Sequence, residues 1–210
     1  MTQIAVTTVR RVLRVFLCTV IVVIAAGALV GYFLYSPAPE LPRLSGTLTR
    51  GTIDVGGLKR TYRTYVPRGL SKGAPLVVVM HGSDQNGGRI RIETGYGFDR
   101  LADQRGFAVA YPDGYEGYWN ACNVIGDYSA NTRDIDDVAF LTGMVDTIIT
   151  DIDVDRDRVF GTGVSRGGHM AFRLALEAPA RFRAVAAVAA NVPAPENFKC
   201  RRQGHARAPS

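Results

Sequence analysis

The residues best suited to covalent chemistry lie in Gly161-Thr-Gly-Val-Ser-Arg-Gly-Gly168, where a serine sits at the centre of Gly163-x-Ser165-x-Gly167. Glycine two places before and after that serine lets a strand turn sharply into a helix, because no Cβ obstructs the turn while the serine takes the strained backbone angles. An elbow of this kind lifts the hydroxyl above the sheet as a nucleophile. The following helix aims its N-terminal N–H groups at the same point, so the backbone N–H of Arg166 can receive a developing oxyanion. Ser165 is therefore the candidate nucleophile, and the chemistry is acyl transfer. The flanks agree: Val159-Phe160 reads as the end of an apolar strand, and Met170–Glu177 has helical spacing.

A serine elbow is completed by an acid and a histidine from later in the chain. After Ser165 the only histidines are His169 and His205, and the only acids are Glu177 and Glu196. His169, four residues on along the elbow helix, is expected to lie along that helix rather than over the hydroxyl. Glu196 and His205 have the right chain order but fall in a segment with nothing visible to hold it. They are weak candidates, and the reading is of a site without its acid and histidine. His81 is expected to shape a turn rather than carry a proton.

The elements that must position Ser165 follow from the apolar pattern. Gly46–Val55 and Arg60–Val66 alternate as paired strands around Gly56-Gly57, an antiparallel hairpin for a sheet edge. Pro75-Leu-Val-Val-Val-Met80 is a continuous apolar run suited to a buried parallel strand, and it ends at His81-Gly82. Phe98–Arg105 reads as a helix stopped by Gly106, and Phe107–Tyr111 as the next strand, closed by Pro112-Asp-Gly114. A long helical pattern runs from Asp136 (Val138, Phe140, Leu141, Met144, Val145, Ile148, Ile149), Arg158–Gly161 feeds the elbow, and Val185–Ala190 is one more apolar run. This succession predicts an α/β fold with a mostly parallel sheet and helices on both faces. With later strands missing, Val185–Ala190 is expected to be an exposed apolar edge and the chain poorly soluble.

Towards the N-terminus, the uncharged run Val15–Tyr35 is long enough, as a helix, to cross roughly 30 Å of hydrocarbon. Arg10, Arg11 and Arg14 precede it, and no acid occurs before Glu40. The positive-inside rule then keeps Met1 cytoplasmic and sends the rest out. A retained anchor is favoured over a cleavable signal peptide, whose apolar core is shorter. The expected organisation is a basic cytoplasmic segment (1–14), a transmembrane signal-anchor (15–35), a linker (36–45), a partial catalytic domain (46–200) and a disordered or frame-shifted tail (201–210). The domain is exported, periplasmic or extracellular, or secreted if the N-terminus is cleaved.

The net charge of +6 comes from that leader and from Lys199, Arg201, Arg202 and Arg207, which leaves the middle nearly neutral and argues against a nucleic-acid partner. Besides Cys18, only Cys122 and Cys200 occur, without metal-ligand spacing. In an exported domain they either pair or stay as buried free thiols. Asp151-Ile-Asp-Val-Asp155 suggests calcium, but Arg156 stands where the loop needs glycine and Thr162 where it needs an acid, so a solvated helix-to-strand turn is expected.

Seven motifs follow one another in order: Arg63-Thr-Tyr-Val-Pro67, Val79-Met-His-Gly82, Val109–Gly114, Trp119-Asn120, Asp136-Asp-Val-x-Phe-Leu141, Gly163–Gly168 and Asn191–Asn197. With them the chain resembles the polyhydroxybutyrate depolymerase-like and feruloyl esterase-like serine esterases. The resemblance implies an α/β-hydrolase fold and ester cleavage by a serine triad, with no metal or organic cofactor and with a polyester or plant-wall phenolic ester as substrate. It also implies Ser165 as nucleophile, the backbone N–H groups of Ser83 and Arg166 as oxyanion donors, His81 and Gly82 as the turn that shapes them, and Trp119 and Asn120 near the substrate cleft. Arg166 stands where the family more often has asparagine, which keeps the N–H and is expected to alter the charge of the cleft. The family's later acid and histidine have no matching positions, so a C-terminally truncated esterase of little activity is expected. The other reading is a membrane-anchored binding remnant that keeps the cleft without a triad.

Overall fold

The computed structural model describes residues 2–35, 37–123 and 126–200. Met1–Ala38 and Pro39–Ser210 form two separate compact units. The first contains α1 (Thr2–Leu34), which begins well before the uncharged run. Within it Arg10–Leu34, with a mean hydropathy of 2.6, is long and apolar enough to cross a membrane.

The second unit is built on one sheet. β1 (Thr47–Val55) and β2 (Leu58–Val66) form the expected antiparallel hairpin, with Val55 opposite Leu58. Gly56 and Gly57 both take positive φ, as the tight turn between them requires. β3 (Ala74–Met80) is followed by α2 (Gly87–Glu93), α3 (Gly97–Arg105) and β4 (Ala108–Pro112). Then come α4 (Ser129–Thr132), α5 (Asp137–Ile152), β5 (Val154–Val164), α6 (Arg166–Glu177) and β6 (Ala184–Val188), with a 3-10 turn at Pro195–Asn197. The strand order is β1-β2-β4-β3-β5-β6. β4, β3, β5 and β6 are mutually parallel neighbours, while β2 joins β4 antiparallel.

Several boundaries moved for identifiable reasons. β5 is longer than the expected Arg158–Gly161 because Val154 already pairs with Ala74, across an irregularity in register. β6 stops at Val188 because Ala189 adopts positive φ. The seven-residue α2 was not visible in the sequence, being too short to show a period. It is started by Asn86, whose side chain accepts from the Arg89 N–H.

Helices cover both faces. Leu76, Val78 and Met80 of β3 pack with Phe140, Leu141, Met144 and Val145 of α5 and with Met170 and Leu174 of α6. Val79 turns the other way and joins Val109, Tyr111, Ile90 of α2 and Ala102 of α3. From β3 the chain steps one way to β4 and then returns past β3 to β5. The loops leaving β3 and β5 therefore part company side by side, and such a reversal of direction opens a crevice at the carboxyl ends of the strands.

Candidate active site

Ser165 sits at the carboxyl end of β5, between that strand and α6, with φ 53° and ψ −118°. A non-glycine residue rarely takes such angles, and the surroundings enforce them here. A Cβ on Gly163 would lie 2.4 Å from the Gly167 carbonyl, and one on Gly167 would lie 2.4 Å from the Met80 carbonyl oxygen and 2.5 Å from that of His81. The elbow thus rests directly on the end of β3, where Met80 is paired with Gly163. On the other side the Ser165 N–H donates to the Val188 carbonyl of β6 at 2.9 Å. The Ser165 side is open to solvent, while Arg166, Gly167 and Gly168 are buried.

The turn after β3 comes up beside the serine: a Cβ on Gly82 would stand 3.7 Å from that of Ser165. The Gly82 N–H donates to Gln85 Oε1 at 3.2 Å, and Gln85 in turn donates to Glu93. The N–H groups of Ser83 and Arg166 donate to no acceptor among the described residues. Behind the turn, His81 is fully buried. Its Nδ1 lies 2.6 Å from the Gly82 carbonyl and its Nε2 accepts from the Gly114 N–H at 2.8 Å. An N–H donor at Nε2 requires that nitrogen to be unprotonated, so Nδ1 carries the hydrogen. Burial pushes the ring's pKa below its ordinary value, which favours this neutral form. Both nitrogens are committed, and His81 is a structural histidine of the turn.

Trp119 and Asn120, expected at the cleft, are both fully buried. The Trp119 indole N–H donates to the His81 carbonyl at 2.9 Å, and the two rings lie 4.9 Å apart. Asn120 receives nothing from the cleft: its N–H donates to Asp137 Oδ2 at 2.7 Å and its Nδ2 to the Ile135 carbonyl at 2.8 Å. These two residues brace the loops from below. The expectation that Arg166 alters the cleft charge is also corrected, because its side chain is 4% exposed and runs inward, with Nε donating to the Trp119 carbonyl at 2.9 Å. A helix that begins on a sharp elbow carries its first side chain back along the body of the protein, where the neighbouring loop already lies.

Cys122 and Cys200 form a disulfide, which settles the two alternatives left open by composition. Alongside it the Lys199 N–H donates to the Cys122 carbonyl at 3.0 Å, and Asn123 forms a bridge with Phe198. The segment after β6 is thereby tied to the Trp119 loop. Glu196 is exposed on the 3-10 turn, and His205 lies outside the described residues. His169 points its Nε2 at Asn191 Oδ1, 3.0 Å away, and its backbone N–H donates to the Ser165 carbonyl, but no histidine side chain among the described residues hydrogen-bonds the Ser165 hydroxyl. The Asp151–Asp155 stretch is the expected turn: Asp153 caps α5 in the left-handed region, and Asp155 accepts from the Asp157 N–H.

Two supports escaped the sequence reading. Arg60 of β2 and Asp137 at the start of α5 form a fully buried ion pair at 2.7 Å, with the Arg60 guanidinium 4.1 Å above the Phe140 ring. Asp113 collects Arg63, Thr61 and the Gly87 N–H, pinning the start of α2 to β2. Both acids fall inside motifs singled out in the sequence, which was the available signal. A polar hollow of about 630 Å³ lies on the α5–α6 side, lined by Asp134, Asp136, Arg173, Glu177 and Lys199 among others. Ser165 does not line it.

A strained serine between a parallel strand and a helix, on a sheet of this order, is the arrangement of the α/β-hydrolase fold. The chain belongs to the Esterase PHB depolymerase family, which it matches over residues 60–197. It is 35% identical over 164 residues to NocK of Nocardia uniformis subsp. tsuyamanensis, a protein named as an esterase, covering 77% of this chain and 46% of that one. Feruloyl esterase C of Emericella nidulans is 32% identical over 145 residues, 66% of this chain and 48% of its own. Among solved structures, the acetyl xylan esterase from Aspergillus awamori superposes with a TM-score of 0.52 at 25% identity, over 68% of this chain and 51% of that one. The chain spans about half the length of these curated relatives.

Proposed function

We propose that the chain is a carboxylic ester hydrolase that uses Ser165 as its nucleophile, with the Ser83 and Arg166 N–H groups as oxyanion donors. The observation that carries this reading is the Ser165 backbone, held at positive φ by two glycine contacts that admit no side chain. Ser165 Oγ attacks the ester carbonyl, the alcohol leaves, and water releases the acid from the acyl-enzyme. Donors fixed in advance towards the developing oxyanion are commonly the largest single contribution to such a step. Relatives named feruloyl esterase, acetylxylan esterase and poly(3-hydroxyalkanoate) depolymerase support an ester of a polyester or of plant-wall material as substrate.

The rate expected of this chain is low. With no histidine on the Ser165 hydroxyl among the described residues, the oxyanion hole and substrate binding are left to supply about 10³ to 10⁴ over water. The same observation favours a second reading, a binding protein that keeps the cleft without turnover. The apolar helix and the disulfide support export, with residues 15–35 holding the domain at the outer face of the cytoplasmic membrane. Labelling with a fluorophosphonate separates the readings. The hydrolase reacts covalently, and Ser165→Ala abolishes the label, whereas a chain that never labels is the binder.

A further inference from the structure

Arg166 has a side chain that the proposed reaction does not use. It is buried, yet no carboxylate among the described residues pairs with it within hydrogen-bond distance. Its Nε donates to the Trp119 carbonyl at 2.9 Å, its guanidinium lies 4.5 Å over the Tyr128 ring, and its Nη2 is buried with no hydrogen-bond partner among the described residues. Burying a charge this incompletely satisfied is costly, so a hydrophobic residue of similar size would serve packing at least as well. Its place in the contact network explains what the arginine accomplishes. The carbonyl it holds belongs to Trp119, whose indole N–H holds the His81 carbonyl at 2.9 Å. His81 leads into Gly82 and Ser83, and Gly167, next to Arg166, rests against the same His81 carbonyl. The loop of hydrogen bonds and packing therefore closes on itself, from Arg166 through Trp119 and His81 back to the elbow.

We infer that the Arg166 side chain is a positioning residue, which locks the two oxyanion donors, its own N–H and that of Ser83, into one rigid unit. The inference rests on the hydrolase reading above. Arg173, two turns further along α6, grips the next carbonyl of the same loop, that of Asn120, but it is ion-paired with Glu177 and lies away from the elbow. It is the natural control for a role in stability alone.

The test uses the full chain in detergent micelles and follows the second-order rate of fluorophosphonate labelling of Ser165. Phosphonylation builds charge in the same oxyanion hole, and misplacing such donors by about an ångström costs on the order of 100-fold. Arg166→Met, which removes the donor at similar volume, is expected to slow labelling 10- to 100-fold. Arg166→Gln, whose amide can still donate to the Trp119 carbonyl, is expected to recover the rate to within about threefold. Arg173→Met is expected to lower the melting temperature with little change in rate. Trp119 is the sole tryptophan, so its acrylamide quenching reports directly whether the loop has loosened in each variant. Equal labelling rates for Arg166→Met and the unsubstituted chain would overturn the inference, as would equal slowing by Arg173→Met or a failure of Arg166→Gln to recover. An unsubstituted chain that takes no label overturns the hydrolase reading itself, and the inference with it.

Discussion

β3 and β6 are written in nearly the same alphabet, Ala-Pro-Leu-Val-Val-Val-Met against Ala-Val-Ala-Ala-Val, and the molecule treats them oppositely. β3 runs between β4 and β5 and has no exposed residue, with Leu76, Val78 and Met80 at 0%. β6 pairs only with β5 among the described strands, and its residues alternate between exposed and half-buried, Val188 being 55% exposed. An apolar run permits burial, but neighbours on both sides bring it about. The Ser165 elbow sits between the two. On the β3 side Gly167 presses on the Met80 and His81 carbonyls, and on the β6 side Ser165 donates to the Val188 carbonyl while Gly168 sits close against Val188 and Ala190.

The largest effect should come where β3 meets the elbow. Gly167→Ala forces a Cβ to within 2.4 Å of the Met80 oxygen, and we expect a loss of at least about 3 kcal/mol by chemical denaturation, together with loss of labelling. A variant that unfolds normally would dissolve the contrast between the two sides. Next comes the bond that secures the β6 side. Opening Cys122–Cys200, which spans a sequence separation of 78, removes a constraint worth about 4.5 kcal/mol in the chain-entropy account and 2–5 kcal/mol in practice. Reduction should therefore lower the melting temperature well before it affects the β3 face.

Direct comparison of the strands should follow the same order. Leu76→Ala on β3 is expected to cost about 2–5 kcal/mol and Val188→Ala on β6 within about 0.5 kcal/mol, measured by urea unfolding. Comparable losses would show that β6 is covered in solution. Acid should discriminate in a further way, because His81 at the end of β3 titrates whereas β6 carries no titratable side chain. The His81 pKa is depressed in the folded state by burial, so the unfolded chain binds the proton first. Its contribution to stability is complete above the unfolded value of about 6.5 and declines as the pH falls below it. Unfolding curves from pH 8 to pH 5 should show that slope, and His81→Asn should remove it. The smallest effect is Ala186→Lys on the exposed β6 edge, expected to leave the melting temperature in place while reducing light scattering at high concentration.

Much of the site was legible because it depends on local spacing. The elbow needs glycines at fixed offsets from Ser165, and the hairpin needs two consecutive glycines, so both could be read directly. The direction of the Arg166 side chain could not, since it depends on a loop 47 residues away, nor could the Arg60–Asp137 pair, separated by 77. Trp119 and Asn120 were found as a motif near the expected cleft, but that both side chains are buried could not be read, because a motif does not say which way a side chain faces.

Sequence alone therefore determined most of the longer elements, their alternation and the strained serine, which follow from periodicity and from backbone angles that only certain residues accept, while the resemblance to the family came from the order of its motifs. Tertiary structure decided which apolar strand is buried, that Cys122 meets Cys200, that the His81 ring is neutral and fully engaged, and that Arg166 turns inward to hold Trp119. These depend on groups far apart in the chain, and hydrogen-bond geometry and desolvation act only once folding has brought those groups together.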